Sequence, residues 1–363
     1  IKSEGNKMNG TKICNENFCA ACYFRTVAKY PQKKCLLQLT EKCNLHCEHC
    51  FVSANCNGEE MQYNDIRDII IPQLLNNNVT KVTLTGGEPF MYKRLLDVVE
   101  LLISNNISVC ICTNATLITE DFLNHFIDCN NLHFNVSLDG FSPKSHGKFR
   151  GNENPEVYDD IIRNIKLLGE RGMLNGILVT PNIYSSVEEY INLCDFAKKC
   201  HARYVLMNPL SQFGRGEKTQ NLAFNSEQMN RLRKATQNFN DNNMEMVYIR
   251  FPNIEKKPLG ECVAGKIMYI FTNGDIAYCP YLVFASKDDG SLYSEQQFIL
   301  GNIFSKDFDW KTSLKKYKFP INYNDVCSKC KNYNCKKGCY AARISHGYEL
   351  SKEDIDLCPL YMQ

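Results

Sequence analysis

Three cysteines, Cys43, Cys47 and Cys50, stand in the stretch KCNLHCEHCF at CxxxCxxC spacing. Thiols this close in sequence wrap one metal centre more readily than they build a disulfide ladder. A loop of this spacing can ligate three irons of a 4Fe-4S cube and leave the fourth without a protein ligand. An iron exposed in that way can bind a small molecule through an amine and a carboxylate together and pass it an electron. The chemistry indicated is redox chemistry on a bound small molecule.

Cysteine is abundant elsewhere too, with 20 in 363 residues. Seven fall late in the chain: Cys262, Cys279, Cys327, Cys330, Cys335, Cys339 and Cys358. Cys14, Cys19, Cys22 and Cys35 form a CxxxxCxxC set with one distant member, whose readings are a further cluster, a zinc knuckle or plain thiols. Cys110, Cys112, Cys194 and Cys200 sit in apolar patterns and read as small buried side chains. No secretory signal is visible, which argues for a reducing, cytoplasmic setting. A net charge of +2 gives no electrostatic case for a nucleic-acid or membrane partner, and no apolar run is long enough to span a bilayer.

The elements that must position these residues alternate. Strand-like runs at CLLQLT, KVTLTGG, VCICTN, HFNVSLDG, GILVTP and YVLMNP are separated by amphipathic stretches such as MYKRLLDVVELLISNN and VYDDIIRNIKLLGERG. Such alternation predicts an α/β fold with a parallel sheet and right-handed crossovers. Six units fit a partial (β/α)6 barrel of the TIM type, with an open doubly wound sheet as the alternative. The domains expected are a cysteine-containing extension over 1–35, the barrel over 36–245, and a small cysteine-rich domain over 246–363 held by metal.

In a barrel of this kind the loops after the strands form the active face. Cys43, Cys47 and Cys50 follow the first strand, TGGEP (Thr85 to Pro89) ends the second, and SLDG (Ser137 to Gly140) ends the fourth, with Arg150 beyond it. Taken singly, GGEP is open to reading as a plain turn, Asp139 as a cap and Arg150 as a solvated charge. In this order at strand ends the set resembles the radical S-adenosylmethionine (radical SAM) superfamily, from Leu36 onward. The resemblance implies a 4Fe-4S cluster on Cys43, Cys47 and Cys50, with His49 in the family's ring position. It also implies SAM contacts at Gly86, Gly87, Glu88, Ser137 and Arg150, and weaker ones at Thr113 and Asn114. Arg150 lies one residue later than in sulfatase-maturating relatives.

The late cysteines resemble a SPASM domain, the extension that carries two auxiliary iron-sulfur clusters, with Gly274 ahead of Cys279 and the group CSKCKNYNCKKGC following. The interval from Cys330 to Cys335 is one residue shorter than usual. Carried over, the family ligation gives Cys327, Cys330, Cys335 and Cys358 to one cluster. Cys262, Cys279 and Cys339 then supply only three ligands to the inner one, leaving an iron for a substrate thiolate or a non-cysteine ligand. Zinc is the competing metal at each site.

The resemblance implies reductive cleavage of SAM to a deoxyadenosyl radical and hydrogen abstraction from a peptide or protein substrate, with a low-potential donor such as flavodoxin or ferredoxin supplying the electron under anaerobic conditions. Maturation of a ribosomally made peptide through a thioether or carbon-carbon cross-link is the favoured reading. Pro280 stands after Cys279 where the sulfatase subclass carries Asp, which argues against that subclass. The segment before Leu36 is too short for the leader-binding domain of many relatives, which leaves three expectations: the domain was trimmed from this sequence, a separate protein does its job, or the substrate is recognised otherwise. The alternatives are assembly of a haem-type or quinone cofactor, or a non-catalytic iron-sulfur electron carrier.

Overall fold

Along the first strand, β1 (Lys33–Thr40), Cys35, Leu37 and Leu39 are buried on one face while Lys34 and Leu36 turn to the other. That period of two fixes which side of the sheet receives helices. The computed structural model describes residues 17–23, 31–287, 290–321, 324–332 and 334–361. β2 (Val79–Gly86), β3 (Ser108–Thr113), β4 (Leu132–Ser137), β5 (Leu174–Val179) and β6 (Tyr204–Met207) follow in spatial order, each parallel to its neighbour. All six expected strands are present, in a parallel α/β sheet.

The helices that cover the outer face begin where their caps dictate. Asn154 caps Pro155–Glu170, Ser186 with Glu189 boxes the start of Val187–Lys199, and Asn225 with Gln228 does the same for Ser226–Thr236. Their apolar stripes, including Ile161, Ile165, Leu168, Leu193 and Leu232, close one large core against the sheet.

Two features go beyond the sequence pattern. A seventh parallel strand, β7 (Glu245–Tyr248), pairs with β6. On the other side, β8 (Ile267–Ile270) pairs parallel with β1, with Lys34 opposite Ile267 and Leu37 opposite Ile270. β9 (Asp275–Ala277) and β10 (Ile299–Asn302) then add antiparallel, so one ten-stranded sheet runs through the barrel and the cysteine-rich region. Among the described residues no helix is long and apolar enough to cross a membrane.

Candidate active site

β1 runs straight into the cysteine loop, which closes on itself through Cys43 N donating to Asn55 O at 2.8 Å and Cys50 N donating to Cys47 O at 3.3 Å. All three thiols border a cavity of about 1690 Å³ on the inner side of the curved sheet. Its floor is polar: the Tyr204 hydroxyl and Asn175 Nδ2 donate to Asn135 Oδ1 at 2.7 and 2.9 Å. Cys110 and Cys112 lie on this inner face of β3, so the reading of them as plain core residues is corrected. Cys194 and Cys200 are buried in the apolar core as expected.

The two glycines ending β2 are required by neighbouring backbone. A Cβ on Gly86, whose φ is +152°, would stand 2.2 Å from Thr40 O, and one on Gly87 would stand 2.2 Å from Lys42 O. Gly87 N and Glu88 N each donate at 2.8 Å to Thr40 O and Lys42 O, which locks the GGE turn to the start of the cysteine loop. Glu88 is 1% exposed. Its carboxylate accepts from Phe90 N at 3.1 Å, Thr113 Oγ1 at 2.7 Å and Asn114 N at 2.7 Å. Burial raises its pKa, and these three donors with Arg150 offset part of the rise. A carboxylate has about four lone-pair sites, so one acceptor position on Glu88 is left for a ligand amine.

Asn114 has both ends of its side chain engaged: Nδ2 donates to Asn44 Oδ1 at 2.9 Å, and Oδ1 accepts from Thr116 Oγ1 at 2.7 Å. It ties the cysteine loop to the end of β3 and still borders the cavity, as Ser137 does at the end of β4.

Arg150 and Asp139 are neither a solvated charge nor a simple cap. Arg150 Nε donates to Asp139 Oδ2 at 2.7 Å, and its Nη1 faces Cys47 Sγ at 3.9 Å. Burial opposes the charge on Arg150, yet Asp139 and Cys47 outweigh it and raise its pKa. Burial pushes the Asp139 carboxyl up, but Arg150, two histidines and the Thr180 N–H bring it below the usual range. His49 stacks on Phe149 at 4.2 Å and 5°. Burial lowers its pKa to about 4, so its 3.5 Å approach to Asp139 is a neutral contact rather than an ion pair. His49 Nδ1 is buried without a partner and lies on the cavity wall. Burial also pushes the Cys47 thiol up to about 12, so metal must displace its proton.

Behind the cysteine loop stands a clamp whose role the sequence analysis leaves unassigned. Arg215 Nε donates to Cys47 O and Nη1 to Ala54 O, both at 2.8 Å, while Thr219 Oγ1 donates to Glu48 O at 2.9 Å. Gly214, at φ +63°, is pressed so close that a Cβ would meet Cys50 O at 2.6 Å. The GRG triplet was the available signal.

The late cysteines influence one another in two sets. Cys358 is burdened by its own burial and by Cys335, Cys327 and Cys330. Cys339 lies beside Cys262 and Cys279. The helix Pro280–Ala285 that follows Cys279 turns Tyr281 and Phe284 into the cavity, where they meet Phe51, the residue after Cys50, at 5.7 and 5.4 Å. None of the described cysteines forms a disulfide. Among the described residues no group of three or more His, Cys, Asp or Glu converges tightly enough for a single metal ion. The donors are soft thiols, which suit an iron-sulfur cluster.

Of the amino-terminal set, Cys19 and Cys22 lie in residues 17–23 and Cys35 lies in β1. Cys35 is fully buried in β1, and Cys14 lies outside the described residues.

A three-cysteine loop at the carboxyl ends of parallel strands, bordering one cavity with Glu88, Ser137 and Arg150, is the arrangement that the radical SAM resemblance predicts. Residues 37–197 match the Radical SAM superfamily, so the chain carries a radical SAM domain, which uses SAM and a 4Fe-4S cluster. The chain is 23% identical over 279 residues to the antilisterial bacteriocin subtilosin biosynthesis protein AlbA of Bacillus subtilis, covering 75% of this chain and 57% of that protein. It is 23% identical over 338 residues to the mycofactocin maturase MftC of Mycobacterium tuberculosis, covering 87% and 80%. The fold is shared with Streptococcus suis SuiB bound to S-adenosylmethionine, at TM-score 0.68 and 20% identity, covering 90% of this chain and 76% of that one.

Proposed function

We propose that this protein is a radical SAM enzyme that modifies a ribosomally made peptide, forming a thioether or carbon-carbon cross-link. The observation that carries the reading is the convergence of Cys43, Cys47, Cys50, Glu88, Ser137 and Arg150 on one cavity of about 1690 Å³. The relatives support a peptide as the substrate: one takes part in bacteriocin biosynthesis, one is a maturase, and SuiB has been solved bound to its precursor peptide SuiA.

In this reading Cys43, Cys47 and Cys50 hold the first cluster. The remaining acceptor position on Glu88 takes the methionine amine of SAM, and Arg150 with Ser137 takes its carboxylate. Gly86 and Gly87 bring the second strand against the cluster loop, and Asn114 holds that loop in place. With the cluster and SAM bound, the site would supply a radical able to take hydrogen from an unactivated carbon. The cavity admits a substrate side chain and keeps water from the radical. Cys327, Cys330, Cys335 and Cys358 hold one auxiliary cluster, and Cys262, Cys279 and Cys339 belong to the other. A low-potential donor such as flavodoxin or ferredoxin feeds the first cluster, in the cytoplasm.

The test is deoxyadenosine release from SAM by the anaerobically reconstituted protein under a low-potential reductant. About twelve irons per chain are expected for three cubes. Replacing Cys43, Cys47 and Cys50 by Ala should abolish the release and leave about eight irons. Wild-type release from that variant would sink the assignment.

A further inference from the structure

Residues 17–23 dock on the cysteine-rich region. Cys19 N donates to Pro258 O at 2.9 Å, and Gly260 N returns a bond to Cys19 O at 2.9 Å, two residues ahead of Cys262. Arg250 N donates to Ala20 O at 2.7 Å, and Arg250 Nη1 to Ala21 O at 3.2 Å. On the far side, the Tyr23 ring packs on Tyr281 at 4.9 Å and on Phe213 at 5.9 Å. The chain is thus pinned immediately before and after Cys22.

The same guanidinium fixes a second cysteine. Arg250 forms a two-pronged pair with Asp354 at 2.7 and 2.9 Å, and Asp354 Oδ2 accepts from Cys339 N at 3.0 Å. One buried arginine therefore sets Ala21, next to Cys22, against the backbone of Cys339. The Cys22 and Cys262 thiols are hydrogen-bonded partners, and Cys279 and Cys339 are both close enough to feel the charge on Cys22. Cys19 takes a different course, packing by Leu259 and Leu357.

We infer that Cys22 is the fourth protein ligand of the inner auxiliary cluster, completing the set Cys22, Cys262, Cys279 and Cys339. This rests on the reading that the last three hold that cluster. Ligation needs no oxidant: each thiol gives its proton to solvent as its sulfur binds iron. The consequence for chemistry is direct. With four cysteines bound, no iron of the inner cluster is left for a substrate thiolate, so the cluster carries electrons and does not anchor the peptide.

The test uses the full chain with Cys43, Cys47 and Cys50 replaced by Ala, so that only auxiliary clusters remain. After reconstitution and mild ferricyanide oxidation, low-temperature electron paramagnetic resonance is recorded together with iron content. The background should hold about eight irons and give no three-iron signal, because every cluster iron has a cysteine. Adding Cys22→Ala should cost about one of those irons and produce a three-iron cluster signal. The inference is overturned by a three-iron signal in the background itself, or by unchanged iron and silence after Cys22→Ala. Should the alanine variant not fold, Cys22→Ser keeps an oxygen ligand and should shift the midpoint potential of one cluster; two unshifted potentials also overturn it. A background without iron removes the auxiliary clusters altogether and this inference with them, while deoxyadenosine release by the wild type would still support the first cluster.

Discussion

Arg150 joins Asp139 and the cluster loop, with Nε 2.7 Å from Asp139 Oδ2 and Nη1 3.9 Å from Cys47 Sγ. One guanidinium thus closes β4 onto the loop after β1 and still borders the cavity. Arg150→Lys loses the planar fork and should raise the KM for SAM about tenfold with iron content intact. An unchanged KM would confine Arg150 to a structural role. Asp139→Ala should act on the fold instead, costing about 3–5 kcal/mol because it strands a buried cation. Thermal melting of the two variants separates the roles.

Glu88→Gln keeps the shape of the side chain but turns one acceptor into a donor. The new NH₂ then faces a backbone N–H of Asn114 or Phe90, both of which now donate to the carboxylate. SAM affinity should fall about 10- to 100-fold from the loss of a charge-assisted bond and the added donor clash. Equilibrium binding of SAM to the reconstituted variant measures it, and wild-type affinity would remove Glu88 from the amine site.

Gly214→Ala places a Cβ against Cys50 O and Phe51 O, both 2.6 Å away, at a φ that disfavours alanine. The cysteine loop must shift, so the variant should lose about four irons and its deoxyadenosine release together. The auxiliary clusters should persist. Iron loss from those clusters instead would show that the clamp serves a different part of the molecule.

Stability should fall as pH drops below about 6.5. His146 Nδ1 accepts from Asp139 N at 3.2 Å, and burial lowers its pKa to about 3, with Arg150 adding to the effect and Asp139 opposing it. A depressed histidine contributes stability that is full above its unfolded pKa near 6.5 and is lost as pH falls toward the folded value. His49 and His133, each lowered to about 4, act in the same direction. Melting temperatures from pH 7.5 to 5.5 should decline, and His146→Gln should flatten the decline by one proton's share. Equal slopes would show that His146 is not held neutral.

The parts legible in the sequence are those whose signal is local. Six strands announced themselves by apolar runs, and Glu88, Ser137 and Arg150 by their place at or after strand ends. β7 was missed because EMVY is only four residues long, and β8 because its partner β1 lies some two hundred residues earlier. The contacts of Arg215, and of Arg250 beside Cys22, were hidden for the same reason. The bond from Arg215 to Cys47 O spans 168 positions, and the one from Arg250 to Ala21 O spans 229. No local periodicity encodes such pairs. Asp139 was legible in position but not in role, since its network takes in Thr180, Asn182 and Tyr190 from the next strand-helix unit.

The pairing of β8 with β1 also bears on how the molecule can be divided. Cutting the chain ahead of β8 would strip β1 of a parallel neighbour along Lys34 to Leu37 and leave its amide and carbonyl groups bare. A raw strand border of that kind, next to the first-cluster loop, is a template for sticking to other chains. An isolated barrel should therefore precipitate as it is made, and the smallest soluble unit should include the strand that comes after Cys262.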